Sequence, residues 1–169
     1  MIEIMLIVEK ILFVSLLMCA FFNIVWRKRN KTESILMLAL IISAELIMLI
    51  IDPLLLEIVD AHLQNFAWFN AFALIDILIV AGIVRIHNIY KVSYKFATKH
   101  ILISYLTLGF TQLITYLDNV FIKSGVMLQV YPFAVVTLNL SIYLTLISML
   151  LIDMFKIKKA TLKDEHHAY

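Results

Sequence analysis

Long runs of apolar residues, separated by short polar clusters, dominate this chain from one end to the other. Five runs are long enough for a helix to cross the hydrocarbon core of a bilayer, which takes about 20 apolar residues. The runs lack the alternation that is typical of barrel strands, so helices are favoured. The pattern predicts an all-α integral membrane protein, a bundle of five transmembrane helices at about 4–26, 34–51, 66–87, 100–117 and 132–155.

The two prolines of the chain mark expected helix ends. Asp52 and Pro53 resemble an N-cap followed by a first-turn proline. Two interpretations stay open: the second span ends there and a short surface helix follows at about 53–63, or one long helix kinks at the proline. Pro132 is expected to open the fifth span after a hairpin loop that contains Gly125.

The basic residues predict the orientation of the chain. Twelve of the fourteen Lys and Arg residues lie between spans one and two, between or at the ends of spans three and four, or after span five. The positive-inside rule then places the N-terminus outside and a short polar tail, residues 156–169, in the cytoplasm. The expected location is the cell inner (cytoplasmic) membrane. The first basic cluster sets topology in this interpretation, and would also suit anionic headgroups or an acidic partner; it comprises Arg27, Lys28, Arg29 and Lys31.

Aromatic residues near the span ends agree with this orientation, because Trp and Tyr are enriched at both membrane interfaces. We expect an inner and an outer group. The inner group is Trp26, Tyr90, Tyr94 and Tyr105, and the outer group is Trp68, Tyr116 and Tyr131.

The composition excludes several classes of protein. Hydrophobic residues make up 63% of the 169 residues and charged residues 15%, with a mean hydropathy of +0.99. A soluble domain is about half apolar and a quarter charged, and one of this size still exposes much of its surface. A soluble enzyme, a nucleic-acid-binding domain and a disordered tail are therefore excluded. No polar stretch is long enough for a second domain, so residues 1–155 are expected to form a single transmembrane helical domain.

Each span carries a polar residue at a similar depth. Counting about 1.5 Å per residue places Glu45 and Asp76 near the bilayer midplane, on consecutive antiparallel helices. Gln112, Asn139 and Ser15 come out at about the same level. A carboxylate at this depth costs a few kcal/mol and rarely faces lipid, and no Lys or Arg is expected there to pair with it.

Three states of the two acids stay open: they are protonated, they share a proton or a bound cation, or they line a hydrated cavity. The functional hypothesis is a proton- or cation-responsive site centred on Glu45 and Asp76. The alternative is a hydrogen-bonded cluster that fixes helix packing or oligomer contacts. Asp52 lies seven residues after Glu45, on nearly the same helix face, and either caps a helix or marks an outer approach to the site.

Small polar residues recur at steps of three or four in spans four and five. This spacing places each set on one stripe, where small side chains let helices approach and hydroxyls bond across. Helix packing and a hydrophilic pore lining both fit the pattern. The stripes comprise Thr107, Thr111 and Thr115 in one span and Thr137, Ser141, Thr145 and Ser148 in the other.

Catalytic and metal-binding patterns are missing from the spans. A zinc site needs convergent His or Cys ligands, and neither paired spacing occurs there. The sequence has no Gly-rich phosphate loop and no Ser–His pairing, so we expect no enzyme, no cofactor and no metal. His87 and His100 are expected at the inner interface, either as ordinary interfacial side chains or as a pH, haem or metal site.

Two functions follow from these patterns. In size and helix count the chain resembles small bacterial inner-membrane proteins, among them immunity proteins against pore-forming bacteriocins and membrane subunits of phage-defence systems. That resemblance is one of architecture, and an immunity or phage-defence role is what it implies. The lack of long soluble domains and catalytic motifs predicts a non-enzymatic, homo-oligomeric membrane subunit that senses a membrane event or toxin and acts through a partner protein. The sequence also shows no obvious substrate cavity. The alternative is a proton- or cation-translocating channel or carrier subunit that uses Glu45 and Asp76.

Overall fold

The computed structural model describes the backbone of residues 2–26 and 32–166 and the side chains of residues 7–8, 10–21 and 36–152. This part of the chain is helical and contains no strand. Glycine and proline are rare, and apolar helices satisfy their own backbone hydrogen bonds, so long helices result. The helices are α1 (Ile2–Trp26), α2 (Thr32–Leu56), α3 (Ala61–Tyr90), α4 (Phe96–Leu117) and α5 (Val126–His166), with a π-helical turn (Asp118–Ile122) after α4.

Four of these helices, α2 to α5, are long and apolar enough to cross a membrane. Helix α1 has 25 residues, and its side chains are described over the apolar stretch Lys10–Phe21. The predicted all-α class is therefore confirmed, and the apolar helices indicate a multi-pass membrane protein. Each helix includes the apolar run that predicted it and extends beyond it at one end or both.

The helices pack in the order α2, α3, α4, α5, α1, and α1 touches α2 only slightly. Short connections join α2 to α3, α3 to α4 and α4 to α5, which favours antiparallel neighbours. Side chains from all five helices meet in one core. Its most completely buried members are Leu16, Ile41, Ile79, Ile83, Ile101, Tyr105, Ile142 and Leu146.

The first interpretation of the Asp52-Pro53 pair, a span that ends there with a surface helix after it, is wrong, whereas the helix does continue through the proline as in the second interpretation. Helix α2 continues through Pro53 to Leu56, and no separate helix spans 53–63. The chain breaks instead at residues 57–60, and α3 begins at Ala61. Asp60 provides the cap: its backbone is extended and its carboxylate accepts a hydrogen bond from the Leu63 amide at 2.8 Å. Proline is tolerated in the last turn of α2 because membrane helices re-satisfy freed backbone groups locally.

Replacing Asp60 by alanine is expected to destabilise the bundle by about 1 kcal/mol, because the first turn of α3 loses the acceptor for one of its free amides. The free energy of unfolding in mixed detergent micelles, followed by circular dichroism, measures this loss. Glu57→Ala is the matched control, since Glu57 is an exposed carboxylate in the same turn. Equal stability of the two variants would contradict the capping role.

The fifth helix also starts earlier than Pro132. Helix α5 begins at Val126, so Pro132 is its seventh residue rather than its first. The Asp118 carboxylate accepts a hydrogen bond from the Met127 amide at 3.0 Å, and the Ser124 hydroxyl accepts one from the Val126 amide at 3.2 Å. These two side chains satisfy the amides of the first turn and fix the start of the helix.

Two predicted segments have little or no described structure. The basic cluster Arg27, Lys28, Arg29 and Lys31 lies outside the described residues. The backbone of the expected polar tail continues α5 as a helix to His166, and its side chains lie outside the described part.

Candidate functional site: a cavity between the helices

A cavity of about 620 Å³ lies between the helices, and all five contribute to its wall. Glu45 and Asp52 come from α2 and Asp76 from α3, whereas the amides Gln112 and Asn139 come from α4 and α5. Apolar and aromatic side chains form most of the remaining wall. The sequence alone does not reveal this cavity. Helix geometry brings together polar groups that are far apart in the sequence.

Asp76 and Gln112 form the most deeply buried polar pair of the cavity. The two side chains are 1% and 4% exposed, and the Gln112 amide Nε2 donates to the Asp76 carboxyl Oδ2 at 3.0 Å. Helices α3 and α4 lie close together here, since a Cβ at Gly109 would lie at an ordinary contact distance of 3.6 Å from the Asp76 Cβ. The other amide atom, Gln112 Oε1, has no hydrogen-bond partner among the described residues. A buried acceptor beside a carboxyl group is thus open to a donor or a cation.

Glu45 is also held by a side chain of α4. Its Oε1 accepts a hydrogen bond from the Tyr105 hydroxyl at 3.3 Å. Tyr105 is fully buried among the helices, and its expected depth near the inner membrane interface stays a prediction. Its hydroxyl has a buried acceptor in Glu45, and this hydrogen bond explains why the ring lies inside the bundle rather than at its surface.

Asp52 and Trp68 form a third polar contact, in which Trp68 Nε1 donates to Asp52 Oδ1 at 2.8 Å. Asp52 lies inside α2 and therefore does not cap a helix. The Trp68 ring also contacts the rings of Phe72 and Tyr131, with centroids 4.8 and 5.8 Å away. The three aromatic residues line the cavity and form one wall beside the carboxyl groups.

Lys10 also lines the cavity. Its side chain is exposed, and the expectation that no basic residue pairs with Glu45 and Asp76 at their depth stays a prediction. The cavity wall holds three carboxyl groups and one ammonium group among the described residues. Lys10 interrupts the first apolar run, and this is the same signal that singles out Glu45 and Asp76 in their runs.

Four of the five residues predicted at one depth line the cavity: Glu45, Asp76, Gln112 and Asn139. Ser15 does not, and its hydroxyl donates to the Ile11 carbonyl of its own helix at 2.8 Å.

The two polar stripes lie outside the cavity wall, and most of their described hydrogen bonds run along the helix. The hydroxyls of Thr107, Thr111, Thr115, Ser141 and Thr145 each donate to a carbonyl three or four residues earlier. Ser141 also bonds across to α4, where its Oγ lies 3.3 Å from His100 Nε2. Thr137 and Ser148 are exposed. Such bonds to the helix's own backbone satisfy a hydroxyl without a partner helix.

His87 and His100, which are expected at the inner interface, do not line the cavity. The His87 ring is buried and stacks on Tyr94, with centroids 4.6 Å apart. His87 Nδ1 lies 3.0 Å from the Ile83 carbonyl oxygen. Within the described side chains, no group of three or more His, Cys, Asp or Glu residues is placed to hold a metal ion.

Comparisons with known proteins assign no relative to this chain: no family model, curated protein or solved structure matches it.

Proposed function

We propose that this protein is a polytopic membrane protein that binds a proton or another cation at Glu45 and Asp76 and carries it across the membrane. One observation supports the proposal above the others. Carboxyl groups of α2 and α3 line one cavity between apolar helices, together with a buried amide oxygen that lacks a donor.

The charge balance of the cavity favours a cationic ligand. Three carboxyl groups face a single ammonium group among the described wall residues. Excess negative charge in an apolar environment is costly, so the carboxyl groups bind protons or cations to remain there. Two such acids are a suitable carrier site. Each carboxyl group binds a proton or cation to remain inside the membrane, and when that ion is released the carboxylate is ready to bind the next one.

The distribution of basic residues supports a five-span topology with the N-terminus outside and the C-terminus in the cytoplasm. In that orientation the α2–α3 turn faces outward. Asp52 is seven residues closer to this turn than Glu45, about 10 Å along the helix axis. Asp52 then stands between the outer surface and the deeper acids, and serves as the outer approach to them.

Five spans are few for a monomeric carrier, and no repeated half is visible in the chain. We therefore propose a homo-oligomer as the working unit. The sensing role with a partner protein stays a prediction, since no contact described here bears on it.

Reconstitution into liposomes tests the proposal. Under a pH or sodium gradient, the wild-type protein is expected to give a flux that the Glu45→Gln, Asp76→Asn double variant reduces to the level of protein-free liposomes, because neither amide exchanges a charge. Glu57→Gln, an exposed change outside the cavity, is the matched control and should retain the flux. Unchanged proton and sodium flux in the double variant would overturn the proposal.

A further inference from the structure

We propose that the cavity takes a protonated amphiphilic amine, an ammonium group attached to an apolar or aromatic body. This inference rests on the proposed function, since it names the class of cation that Glu45 and Asp76 bind. It derives from three features of the cavity: its wall, its open hydrogen-bond acceptor, and its access from the side of the bundle.

The wall of the cavity suits an organic body better than a bare metal ion. A volume of about 620 Å³ falls within the range of sites for drug-sized ligands. Hard cations such as Ca²⁺ need six or more oxygen ligands, whereas this wall is mainly apolar. Within the described part of the chain, no three acidic or His and Cys side chains are grouped closely enough to hold a metal. The aromatic faces of Trp68, Phe72 and Tyr131 instead offer contact area and cation–π attraction.

The deep end of the cavity suits an N–H donor. Gln112 Oε1 is buried and has no donor among the described residues, and the same side chain bonds Asp76 through its Nε2. An ammonium group placed there donates to the amide oxygen and neutralises the neighbouring carboxylate. A quaternary cation supplies the charge but no donor, so it leaves the amide oxygen unsatisfied.

The cavity is accessible from the side of the bundle. Helix α1 packs on α5 and touches α2 only slightly, although α1 and α2 both line the cavity. Val14 of α1 and Leu49 of α2 belong to the wall and are 58% and 61% exposed. In a membrane-spanning bundle this surface faces lipid, where amphiphilic amines accumulate. The α1–α2 side therefore gives such a molecule an apolar route to the carboxyl groups.

Calorimetric titration of the full-length protein in nanodiscs tests the inference with three matched probes. Diphenylpropylammonium supplies the body, the charge and the donors; its N-trimethyl derivative lacks the donors; diphenylpropanol lacks the charge. Empty nanodiscs correct for partition into lipid. The ammonium probe is expected to bind roughly tenfold more tightly than the alcohol, or more, because a hydrogen bond to a charged group contributes at least this much. The trimethyl probe is expected to fall between them.

Two variants locate the binding in the cavity. In the Glu45→Gln, Asp76→Asn double variant, the ratio of the affinity for the ammonium probe to that for the alcohol probe is expected to fall to about one. This ratio can be measured in any variant that still binds the alcohol. Phe72→Leu is expected to weaken both probes, because a buried aromatic wall residue is lost. Phe110→Leu is the matched control, an exposed phenylalanine of α4 outside the cavity, and should bind as wild type.

The outcomes separate this inference from the proposed function. The inference is supported if the wild-type protein prefers the ammonium probe and the Glu45→Gln, Asp76→Asn double variant does not. Equal affinity for ammonium and alcohol, or no binding of either, overturns it, even where proton or sodium flux still depends on the two acids. Loss of both the binding and the acid-dependent flux overturns the proposed function as well.

Discussion

Replacing Asp76 alone by asparagine is expected to abolish cation flux while the helix bundle stays intact. The Asn side chain keeps an acceptor for the Gln112 amide, whose Nε2 lies 3.0 Å from the Asp76 carboxyl in the native protein. Asparagine neither loses nor gains a proton, so position 76 no longer alternates between a charged carboxylate and its proton- or cation-bound form. Flux in liposomes and thermal unfolding in detergent measure the two effects on the same preparation.

Asp76→Leu separates loss of charge from loss of structure. Leucine removes the acceptor as well, so the buried Gln112 amide loses its partner and the protein is expected to be less stable than Asp76→Asn by about 1–3 kcal/mol. Serial dilution of protein per liposome checks that flux is compared at equal folded amounts. Native flux in a stable Asp76→Asn protein would show that this carboxyl has no role in transport.

The helices can be predicted from the sequence because a continuous apolar run in lipid satisfies its backbone hydrogen bonds by forming a helix. Their ends do not follow as easily, because an end depends on one side chain among several candidates. Asp52 precedes a proline that would suit a first helical turn and Asp60 precedes an alanine, yet only Asp60 caps α3, whereas Asp52 bonds Trp68 from inside α2. The role of Asp52 depends on its hydrogen bond to Trp68, a residue 16 positions away, and a local sequence pattern does not show such a contact.

The polar part of the cavity was accessible to prediction, and the aromatic part was not. A carboxyl or amide in the middle of an apolar run is costly against lipid at any rotation of the helix, so depth alone marks Glu45 and Asp76. An aromatic ring carries no such cost. Trp68 and Tyr105 lie favourably at an interface or in a core, and the hydrogen bonds to Asp52 and Glu45 decide between the two.

Lys10 shows why charge within a run is an incomplete signal near a helix end. A lysine there can extend its flexible stem toward water, so sequence alone assigns it to the surface. In the structure the side chain is exposed and also belongs to the cavity wall, which holds three carboxyl groups. Its position depends on α1 packing beside α5, a contact between the two ends of the chain.

A double-mutant cycle on Asp76 and Gln112 is expected to show that this pair adds little net stability to the bundle. Gln112→Leu removes the donor of a buried carboxyl, and Asp76→Leu removes the acceptor of a buried amide, so each single change should destabilise by about 1–3 kcal/mol. The double leucine variant should recover most of the loss, because apolar side chains of similar shape replace both partners. Reversible unfolding in mixed micelles measures all four proteins.

A stable double variant without cation flux would mean that the bundle packs well without its deepest polar pair. The Asp76–Gln112 pair is then retained for binding, since a packing role would leave the double variant the least stable of the four. If the losses instead add, the two side chains stabilise α3 and α4 independently, and the cluster acts as a packing device. The unpaired Gln112 Oε1 favours the first result, because a cluster formed only for packing gains nothing from a buried acceptor without a donor.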